Sequence, residues 1–459
     1  MANDDPRIAP LVDLLRQRGA MTAAELATAL GTSQPSISRA LRGAEPQVAR
    51  IGRARRARYA ARRDVRGLGT TWPLFRIDAQ GRPEAFGDLT ALYGGGSLVE
   101  ARPSPDWFQG EFVDGVFPGI PWFLDDQRPQ GFLGRQFAQQ WAKDLGLPAD
   151  ILRWSDDAVL AALVLHGDDG PGNFVVGADG LDRALQQPPP TLGDDARSAA
   201  YGQLAESAMA GEPVGSSAAG EQPKFTTRVA GADGSVRHVI VKFSEPVSNP
   251  TGRRWADLLV CEHLAGELLA EQGHASARNE LIWSNERLCL EVTRFDRIGA
   301  HGRRGFVTLA AWSDAHDGER DDWARATARM HESGWVDAAG EAEVRQRWWF
   351  GRMIANADMH FGNLGFFLDD RLPLAVAPSY DMLPMLYRPA ANGALPPRTF
   401  EPPTPTPADQ AYWQRAAEWG EAFWRRVARH EAISDAFRGM AQANGDAIAA
   451  VRQRFDISR

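Results

Sequence analysis

The chain has 459 residues, a formal net charge of −8 and 44% hydrophobic residues, a composition typical of an ordinary globular protein with room for about three domains. It contains no run of about 18 apolar residues and no charged start followed by an apolar block, so we expect neither a membrane span nor a signal peptide. The two cysteines, Cys261 and Cys289, are too few for a disulfide framework or a zinc site and predict a reducing cytoplasm.

The first 66 residues have a charge balance of their own. They hold thirteen arginines and no lysine against six carboxylates, a balance of +7 in a chain that is −8 overall. A basic end on an otherwise acidic protein favours nucleic-acid binding.

Three helices and a hairpin are predicted in this basic segment. Ile8–Arg18 gives a first helix, Thr22-Ala-Ala-Glu25 is a capping box that opens a second, and Ser33 is expected to cap a third. Val48–Tyr59 predicts a β-hairpin wing. The segment resembles the winged helix-turn-helix domains of bacterial transcription regulators, which insert the last helix into a DNA groove. The side chains expected at DNA are Gln34, Ser36, Ser38, Arg39, Arg42, Arg53, Arg55 and Arg56. A basic domain used for protein contacts is the alternative.

Residues 70–185 alternate short strands, Gly- and Pro-rich turns and helices, the latter expected near Arg135–Leu145 and Ala158–Leu165. Nothing in this stretch has catalytic spacing.

Two of the chain's three lysines follow a stretch suited to phosphate. Small residues and glycine at 215–220 let backbone N–H groups approach phosphate oxygens, and Lys224 follows. Arg237–Phe243 is predicted to be a strand that presents Lys242, as in kinases, where such a lysine pairs with the α- and β-phosphates. The stretch matches neither G-x-G-x-x-G nor the Walker pattern, so a flexible surface loop is the default interpretation for it alone.

An acidic helix and a further strand come next. Kinases pair the strand lysine with a helix glutamate, and in the helix predicted over Arg253–Glu271 the partner is either Asp257 or Glu262. Leu288–Arg297 then predicts a strand leaving the small lobe, with its backbone facing the adenine edge.

The strongest motif is Asn356-Ala-Asp358-Met-His-Phe-Gly-Asn363. An aspartate, four residues and an asparagine reproduce the spacing of a kinase catalytic loop, in which the aspartate is the base and the asparagine binds magnesium. Asp381 is placed to be the second magnesium ligand. Asp and Asn near Gly often only form turns. Here, however, a predicted helix over Val344–Ile354 precedes the motif and a half-buried hairpin follows it.

These pieces resemble the HipA family of bacterial serine/threonine kinases, the toxin halves of type II toxin–antitoxin pairs. The resemblance rests on Ala219–Lys224, Val241–Phe243, Thr293–Arg297, Asn356–Asn363 and Tyr380-Asp381, and the basic N-terminal segment suggests the YjjJ-like subgroup. It implies that Asp358 is the catalytic base and that Asn363 and Asp381 bind Mg²⁺. It also implies nucleotide contacts from Ala218, Ala219, Gly220, Glu221, Gln222, Lys224, Lys242, Thr293, Phe295 and His360.

The resemblance further implies regulation by autophosphorylation of a serine beside the phosphate loop, which Ser217 matches. The sequence departs from the family in two places near the nucleotide. Thr293 replaces a frequent acidic residue, so adenine recognition there is expected to rest on backbone groups. Phe361-Gly362 stands where a lysine is common, so one cation near the γ-phosphate is missing.

The expected fold class is α+β, a winged helix-turn-helix (1–66) followed by a two-lobed protein-kinase-like domain. Its N-terminal lobe spans 67–292, and a largely helical C-terminal lobe spans 293–459. The expected function is ATP- and Mg²⁺-dependent phosphorylation of a protein serine or threonine. DNA, a separate antitoxin and a second copy of the chain are expected partners. The alternatives are a DNA-binding regulator with an inactive kinase-like sensor, and a small-molecule phosphotransferase.

Overall fold

A computed structural model describes residues 5–53, 56–186, 191–210 and 222–455. The fold is α+β, as the sequence predicts. Arg55 of the wing and Ser217, Ala218, Ala219, Gly220 and Glu221 of the phosphate loop lie outside the described residues.

The N-terminal domain has the three helices and the hairpin expected from its sequence. Its elements are α1 (Ile8–Arg18), β1 (Met21–Thr22), α2 (Ala23–Ala29), α3 (Gln34–Gly43), β2 (Val48–Ile51) and β3 (Arg58–Ala61), with the strands in the order β1-β3-β2. The capping box is present, because Thr22 and Glu25 exchange side-chain and backbone hydrogen bonds. Ser33 differs from expectation: it is the N-cap residue of α3, but its hydroxyl lies 3.0 Å from the Ser36 hydroxyl and accepts no backbone N–H.

The middle region is built on a second antiparallel sheet. Its elements are β4 (Thr71–Ile77), β5 (Pro83–Ala91), β6 (Ser97–Ala101), β7 (Val116–Phe117), α4 (Trp122–Asp125), α5 (Gly131–Trp141), α6 (Asp156–His166), β8 (Phe174–Val176) and α7 (Ala178–Leu185). The strand order is β7-β6-β5-β4-β8. Helix α5 begins four residues before the helix expected at Arg135. Rings of Phe86, Trp107, Phe108 and Phe123 pack at centroid distances of 4.9–6.4 Å and fill the core of this region.

A third sheet carries both candidate nucleotide lysines. Its elements are β9 (Leu192–Gly193), α8 (Arg197–Met209), β10 (Lys224–Ala230), β11 (Val236–Phe243), α9 (Pro250–Glu271), β12 (Asn279–Ser284) and β13 (Arg287–Thr293). The order is β12-β13-β11-β10-β9. Lys224 on β10 lies directly opposite Lys242 on β11, so both side chains project from the same face of the sheet.

The C-terminal lobe is largely helical. Its elements are β14 (Arg297–Ile298), β15 (Gly302–Arg303), β16 (Phe306–Thr308), α10 (Leu309–His316), α11 (Trp323–Glu332), α12 (Ala338–Met353), β17 (Gly365–Phe367), β18 (Ala375–Val376), α13 (Gln410–Arg429) and α14 (Asp435–Phe455). Strand β17 is fully buried instead of half-buried, because it is the central strand between β16 and β18. Among the helices of the described ranges, none combines the length and the apolar character needed to cross a bilayer.

The N-terminal domain is packed against the middle region by an apolar contact between sheets. Ala49, Ile51 and Ala60 of β2 and β3 form one buried cluster with Leu92 and Leu98 beside β5 and in β6. At the edge of this contact, Arg63 donates to Asp157, and its Nε donates to the backbone oxygen of Leu92 at 2.9 Å.

Candidate active site

Lys242, Glu262 and Asp381 form a buried ionic cluster between the third sheet and the C-terminal lobe. The Lys242 Nζ atom donates to both carboxylate oxygens of Glu262, at 2.5 and 2.7 Å, and to the Asp381 Oδ1 atom. The Lys242 and Glu262 side chains are 7% and 5% exposed, whereas that of Asp381 is 29% exposed. A buried charge is tolerated when it is paired, and both carboxylates pair with Lys242. These bonds fix the lysine side chain at the cleft between the lobes.

The structure selects Glu262 as the helix partner of Lys242. Asp257, the other candidate, faces elsewhere: it accepts from Arg253 Nη2 at 2.9 Å and from the Ser434 hydroxyl at 2.6 Å. Asp257 therefore ties α9 to the start of α14 and has no contact with the lysine.

The charge states within the cluster follow from burial and pairing. Burial opposes the charged form of Lys242, but the carboxylates of Asp381 and Glu262 outweigh it and raise the pKa of the lysine. Burial likewise opposes ionisation of Asp381, yet Lys242 and then Lys224 lower the pKa of this carboxyl to about 2. The pKa of Glu262 is raised, chiefly by burial, although Lys242 acts against the rise. Lys242 is thus a cation and Asp381 an anion at neutral pH.

Lys224 adds a second positive charge to the same place. It is partly buried and makes no ion pair within the described residues. Its charge helps to lower the pKa of Asp381 and acts against the rise in the pKa of Glu262. Gln222, two residues earlier, has a buried Nε2 atom without a described partner. Lys224 and Lys242, opposite each other on β10 and β11, therefore place two positive charges near Asp381.

The catalytic loop is held by its own asparagines. The Asp358 N–H donates to the Asn356 Oδ1 atom at 3.0 Å, and the Asn363 Nδ2 atom donates to the Asp358 carbonyl at 2.9 Å. The Asn356 Nδ2 atom lies 3.4 Å from the carbonyl of Asp381. The base and the two metal-ligand candidates predicted from spacing therefore belong to one hydrogen-bonded unit.

Neighbouring elements fix the outer part of this loop. Trp323 Nε1 on α11 donates to the His360 carbonyl at 3.0 Å, and Tyr380 donates to the Gly362 carbonyl at 2.7 Å. His360 is exposed, and its Nδ1 atom accepts from the Gly362 N–H at 3.1 Å. Gly351 on α12 permits the close packing, because a Cβ there would lie 2.5 Å from the Met359 sulfur.

The residues present fit a magnesium ion. Within the described ranges, neither the Asn363 Oδ1 atom nor the Asp381 Oδ2 atom is engaged in a hydrogen bond, and both are the hard oxygen ligands that Mg²⁺ prefers. Asp381 has a φ of 52°, in the left-handed region, a strained conformation often found at functional sites. No group of three or more His, Cys, Asp or Glu suited to a metal occurs in the described chain.

An open cavity of about 400 Å³ adjoins the candidate base. Trp348 and Arg352 of α12 form one wall, and Asp358 and His360 lie on the other. Its volume is at the small end for ligand sites, enough for a side chain bearing a hydroxyl.

The segment between the lobes differs from expectation. The N–H groups of Thr293 and Arg294 donate to the carbonyls of Arg278 and His238, each at 2.8 Å, so neither is free to bind adenine. The Phe295 ring packs 5.8 Å from Tyr380, next to Asp381.

Sequence reasoning also missed a buried ionic network in this segment. Arg294 and Arg297 each bond Asp296 and reach Asp169 of the middle region, at Nη–Oδ1 distances of 3.1 and 3.0 Å. The charges of the Thr293–Arg297 motif therefore join the lobes to the middle region. The only feature of the sequence that indicated this network was the high density of charged residues in the motif.

The residues predicted to contact DNA are mostly exposed. Ile37 and Leu41 are buried in the domain core, whereas Gln34, Ser38, Arg39 and Arg42 are exposed, and so are Arg53 and Arg56 of the wing. Ser36 is partly buried and bonded to Ser33. Among the described residues, none of these four arginines forms an ion pair.

Comparison with known proteins agrees with this architecture. Residues 68–185 match the family model of the YjjJ-like toxin middle domain, and residues 216–451 match that of the HipA-like C-terminal domain. The solved complex of HipA with HipB and operator DNA from Shewanella oneidensis MR-1 covers 83% of this chain and 97% of that chain, with 14% identity and a TM-score of 0.50. The proinflammatory kinase CtkA of Helicobacter pylori covers 51% of this chain and 91% of its own, with 12% identity and a TM-score of 0.36, too distant to support an argument.

The fold is thus HipA-like. Toxin YjjJ of Escherichia coli (strain K12) is 38% identical over 448 residues, 97% of this chain and 98% of that protein. The chain belongs to the YjjJ-like branch of the HipA-like toxin family, which confirms the resemblance inferred from its motifs.

Proposed function

We propose that this protein is an ATP- and Mg²⁺-dependent kinase that phosphorylates a serine or threonine of another protein. The observation that carries the proposal is the cluster of Lys242, Glu262 and Asp381 beside the hydrogen-bonded loop of Asp358 and Asn363. A lysine–glutamate pair, a metal aspartate, and a base with a metal-binding asparagine are the parts that phosphoryl transfer requires.

Each residue has a separate task in this proposal. Mg²⁺–ATP supplies the transferable γ-phosphoryl group and the charge that neutralises it. Lys242, oriented by Glu262, binds the α- and β-phosphates, and Asp381 and Asn363 hold the metal. Asp358 accepts the proton of the attacking hydroxyl, which enters through the adjoining cavity. Thr293, Phe295 and His360 contribute further contacts to the nucleotide, and Lys224, opposite Lys242, supplies a second cation near the phosphates.

Transfer of label from γ-labelled ATP to the protein itself or to cell extract tests the proposal. Asp358→Ala is expected to lower kcat about a thousandfold, because a positioned base contributes that order of rate. ATP affinity should change less than about twofold, since the carboxylate contacts the hydroxyl and not the nucleotide.

Asp446→Ala, at an exposed position of α14, is the matched control. Equal loss of ATP binding and transfer in the Asp358 variant would contradict the assignment. Absence of transfer by the wild type, with ATP binding retained, would favour a kinase-like sensor attached to a DNA-binding domain. Transfer to small molecules alone would favour a small-molecule phosphotransferase.

Autophosphorylation of Ser217 belongs to the same proposal. Its support is the resemblance of residues 217–224 to the phosphate loop of the family and the position of Lys224 opposite Lys242, which bonds Asp381. Phosphopeptide mapping after incubation with ATP decides it, and the Ser217→Ala variant should remain unlabelled in that peptide while still labelling other proteins.

DNA is the proposed ligand of the N-terminal domain. The exposed arginines of α3 and the wing, which have no carboxylate partners among the described residues, support this assignment. The complex of the Shewanella protein with HipB and operator DNA supports two further proposals, a separate antitoxin and a dimer that reads paired half-sites.

A further inference from the structure

A carboxylate of the middle region reaches the hydrogen-bonded frame of the catalytic loop. Asp126, at the end of α4, accepts the Thr308 N–H through Oδ2 and the Thr308 hydroxyl through Oδ1, both at 2.7 Å. Thr308 is 7% exposed and caps α10, because its Oγ1 atom also accepts the Ala311 N–H at 3.1 Å. Asp126 has no ion pair in the described chain, and its carboxylate is engaged by Thr308 through these two hydrogen bonds.

Thr308 leads directly to the candidate metal ligand. It pairs with Gly365 in the β16–β17 ladder, and the N–H of the next residue, Leu309, donates to the Leu364 carbonyl at 2.8 Å. Leu364 is bonded covalently to Asn363. Two hydrogen-bonded contacts and two peptide bonds therefore connect Asp126 to the amide that we propose holds magnesium.

The middle region also holds the turn of the same hairpin. We call residues 365–376, which include β17 and β18, the catalytic hairpin. Beyond β17, Arg76 forms a two-bond pair with Asp370, at 2.5 and 3.2 Å, and Trp107 Nε1 donates to the Asp369 carbonyl at 3.1 Å. The start of the catalytic hairpin, through Thr308, and its turn are thus both held by residues of the middle region.

We propose that the middle region is a brace that sets the position of Asn363, and that Asp126 is its principal positioning residue. The inference rests on the proposed role of Asn363 as a magnesium ligand. Without the Asp126 carboxylate, Thr308 on β16, which pairs with the start of the hairpin, loses two hydrogen bonds. The Asn363 Oδ1 atom then loses its fixed position relative to Asp381. Metal binding should suffer before nucleotide binding, because Lys242 and Glu262 lie on the other lobe.

The test is the affinity of the full-length protein for ATP with and without Mg²⁺, which needs no catalysis. In Asp126→Ala, the gain in ATP affinity produced by Mg²⁺ should fall about fivefold, whereas metal-free ATP affinity stays within about twofold of wild type. Asp126→Asn keeps one acceptor and the shape of the side chain, so in this variant the gain in ATP affinity produced by Mg²⁺ should fall less. Asp125→Ala is the matched control, since Asp125 is the adjacent residue and pairs with Arg128 instead.

In the label-transfer assay, Asp126→Ala should lower kcat about tenfold with little change in the KM for ATP. An unchanged Mg²⁺ effect in Asp126→Ala, or an equal loss of metal-free ATP binding, would overturn the brace. A wild type that shows the Mg²⁺ effect but labels no protein would overturn the proposed kinase activity alone, and the Mg²⁺ titrations of the variants would still decide on Asp126. A wild type without any Mg²⁺ effect would overturn the metal site and the brace together.

Discussion

Positive charge is used in opposite ways in the nucleotide cleft and on the third helix of the N-terminal domain. In the cleft, Lys242 is buried and bonded to two carboxylates. On α3, Arg39 and Arg42 are exposed, without an ion pair among the described residues. A paired, buried charge contributes to the fold as well as to the function, whereas an unpaired, exposed charge is free to serve a ligand alone.

The largest effect on stability is expected where the pairing is most complete. Lys242→Met leaves Glu262 and Asp381 without their cation, which should lower the free energy of unfolding by about 3 kcal/mol at pH 7. Urea denaturation measures this decrease in the free energy of unfolding. The decrease should be smaller at lower pH, because the two carboxyls then take up protons.

Lys143→Met is the control for that substitution, because Lys143 is exposed and has no described ion pair. It should change the free energy of unfolding by less than about 0.5 kcal/mol. Similar losses in the two variants would remove the contrast between paired and unpaired cations.

Asp126 provides an intermediate case, a carboxylate in the interior without a cation. Burial raises its pKa to about 6, and the Thr308 hydrogen bonds only reduce the rise. Because the folded pKa lies above the unfolded value of 3.8, the stabilising effect of its protonated form is complete below about pH 4 and is lost as the pH rises to about 6. The stability of wild type relative to Asp126→Asn should thus fall by about 2 kcal/mol over that range. A difference in Tm between wild type and Asp126→Asn that does not change with pH would contradict this prediction.

The smallest effect on stability is expected on α3, combined with a clear effect on binding. Arg39→Ala and Arg42→Ala should each change the free energy of unfolding by less than about 0.5 kcal/mol. For binding to duplex DNA, each substitution should reduce the slope of the logarithm of the binding constant against the logarithm of the salt concentration by about one, because one phosphate contact is lost. Fluorescence anisotropy across a salt series measures this, with Arg18→Ala on α1 as the control. Unchanged slopes for both variants would argue against a DNA-binding face.

Local features of the fold were predictable because their causes are local. The capping box at Thr22 depends on residues three apart, and the Asp358–Asn363 spacing depends on one loop. The choice between Asp257 and Glu262 was not predictable. They lie about 140° apart around α9, and the helix buries both sides, at 1% and 4% exposure. The sheet on which α9 packs decides which acid meets the lysine.

Long-range polar contacts were out of reach for a similar reason. Asp126 and Thr308 are 182 positions apart, and no periodicity links them. Residues 70–185 lacked catalytic spacing and therefore offered no sign that they hold the loop that carries Asn363. The Ser33 hydroxyl shows the limit on a smaller scale, because a neighbouring hydroxyl competed with the backbone for it.

The apolar contact between β2–β3 and the middle region has a consequence for stoichiometry. Since Ala49, Ile51 and Ala60 share one buried cluster with Leu92 and Leu98, the first 66 residues are packed against the middle region and not merely linked to it by the chain. Because they belong to one chain, the kinase-like lobes and the basic domain are always present at a ratio of one to one, and the contact also holds them together in space. Dilution cannot separate them, in contrast to a partner encoded on another chain. Cutting the chain after residue 66 would expose this cluster to water, so each fragment would carry a new aggregation-prone face.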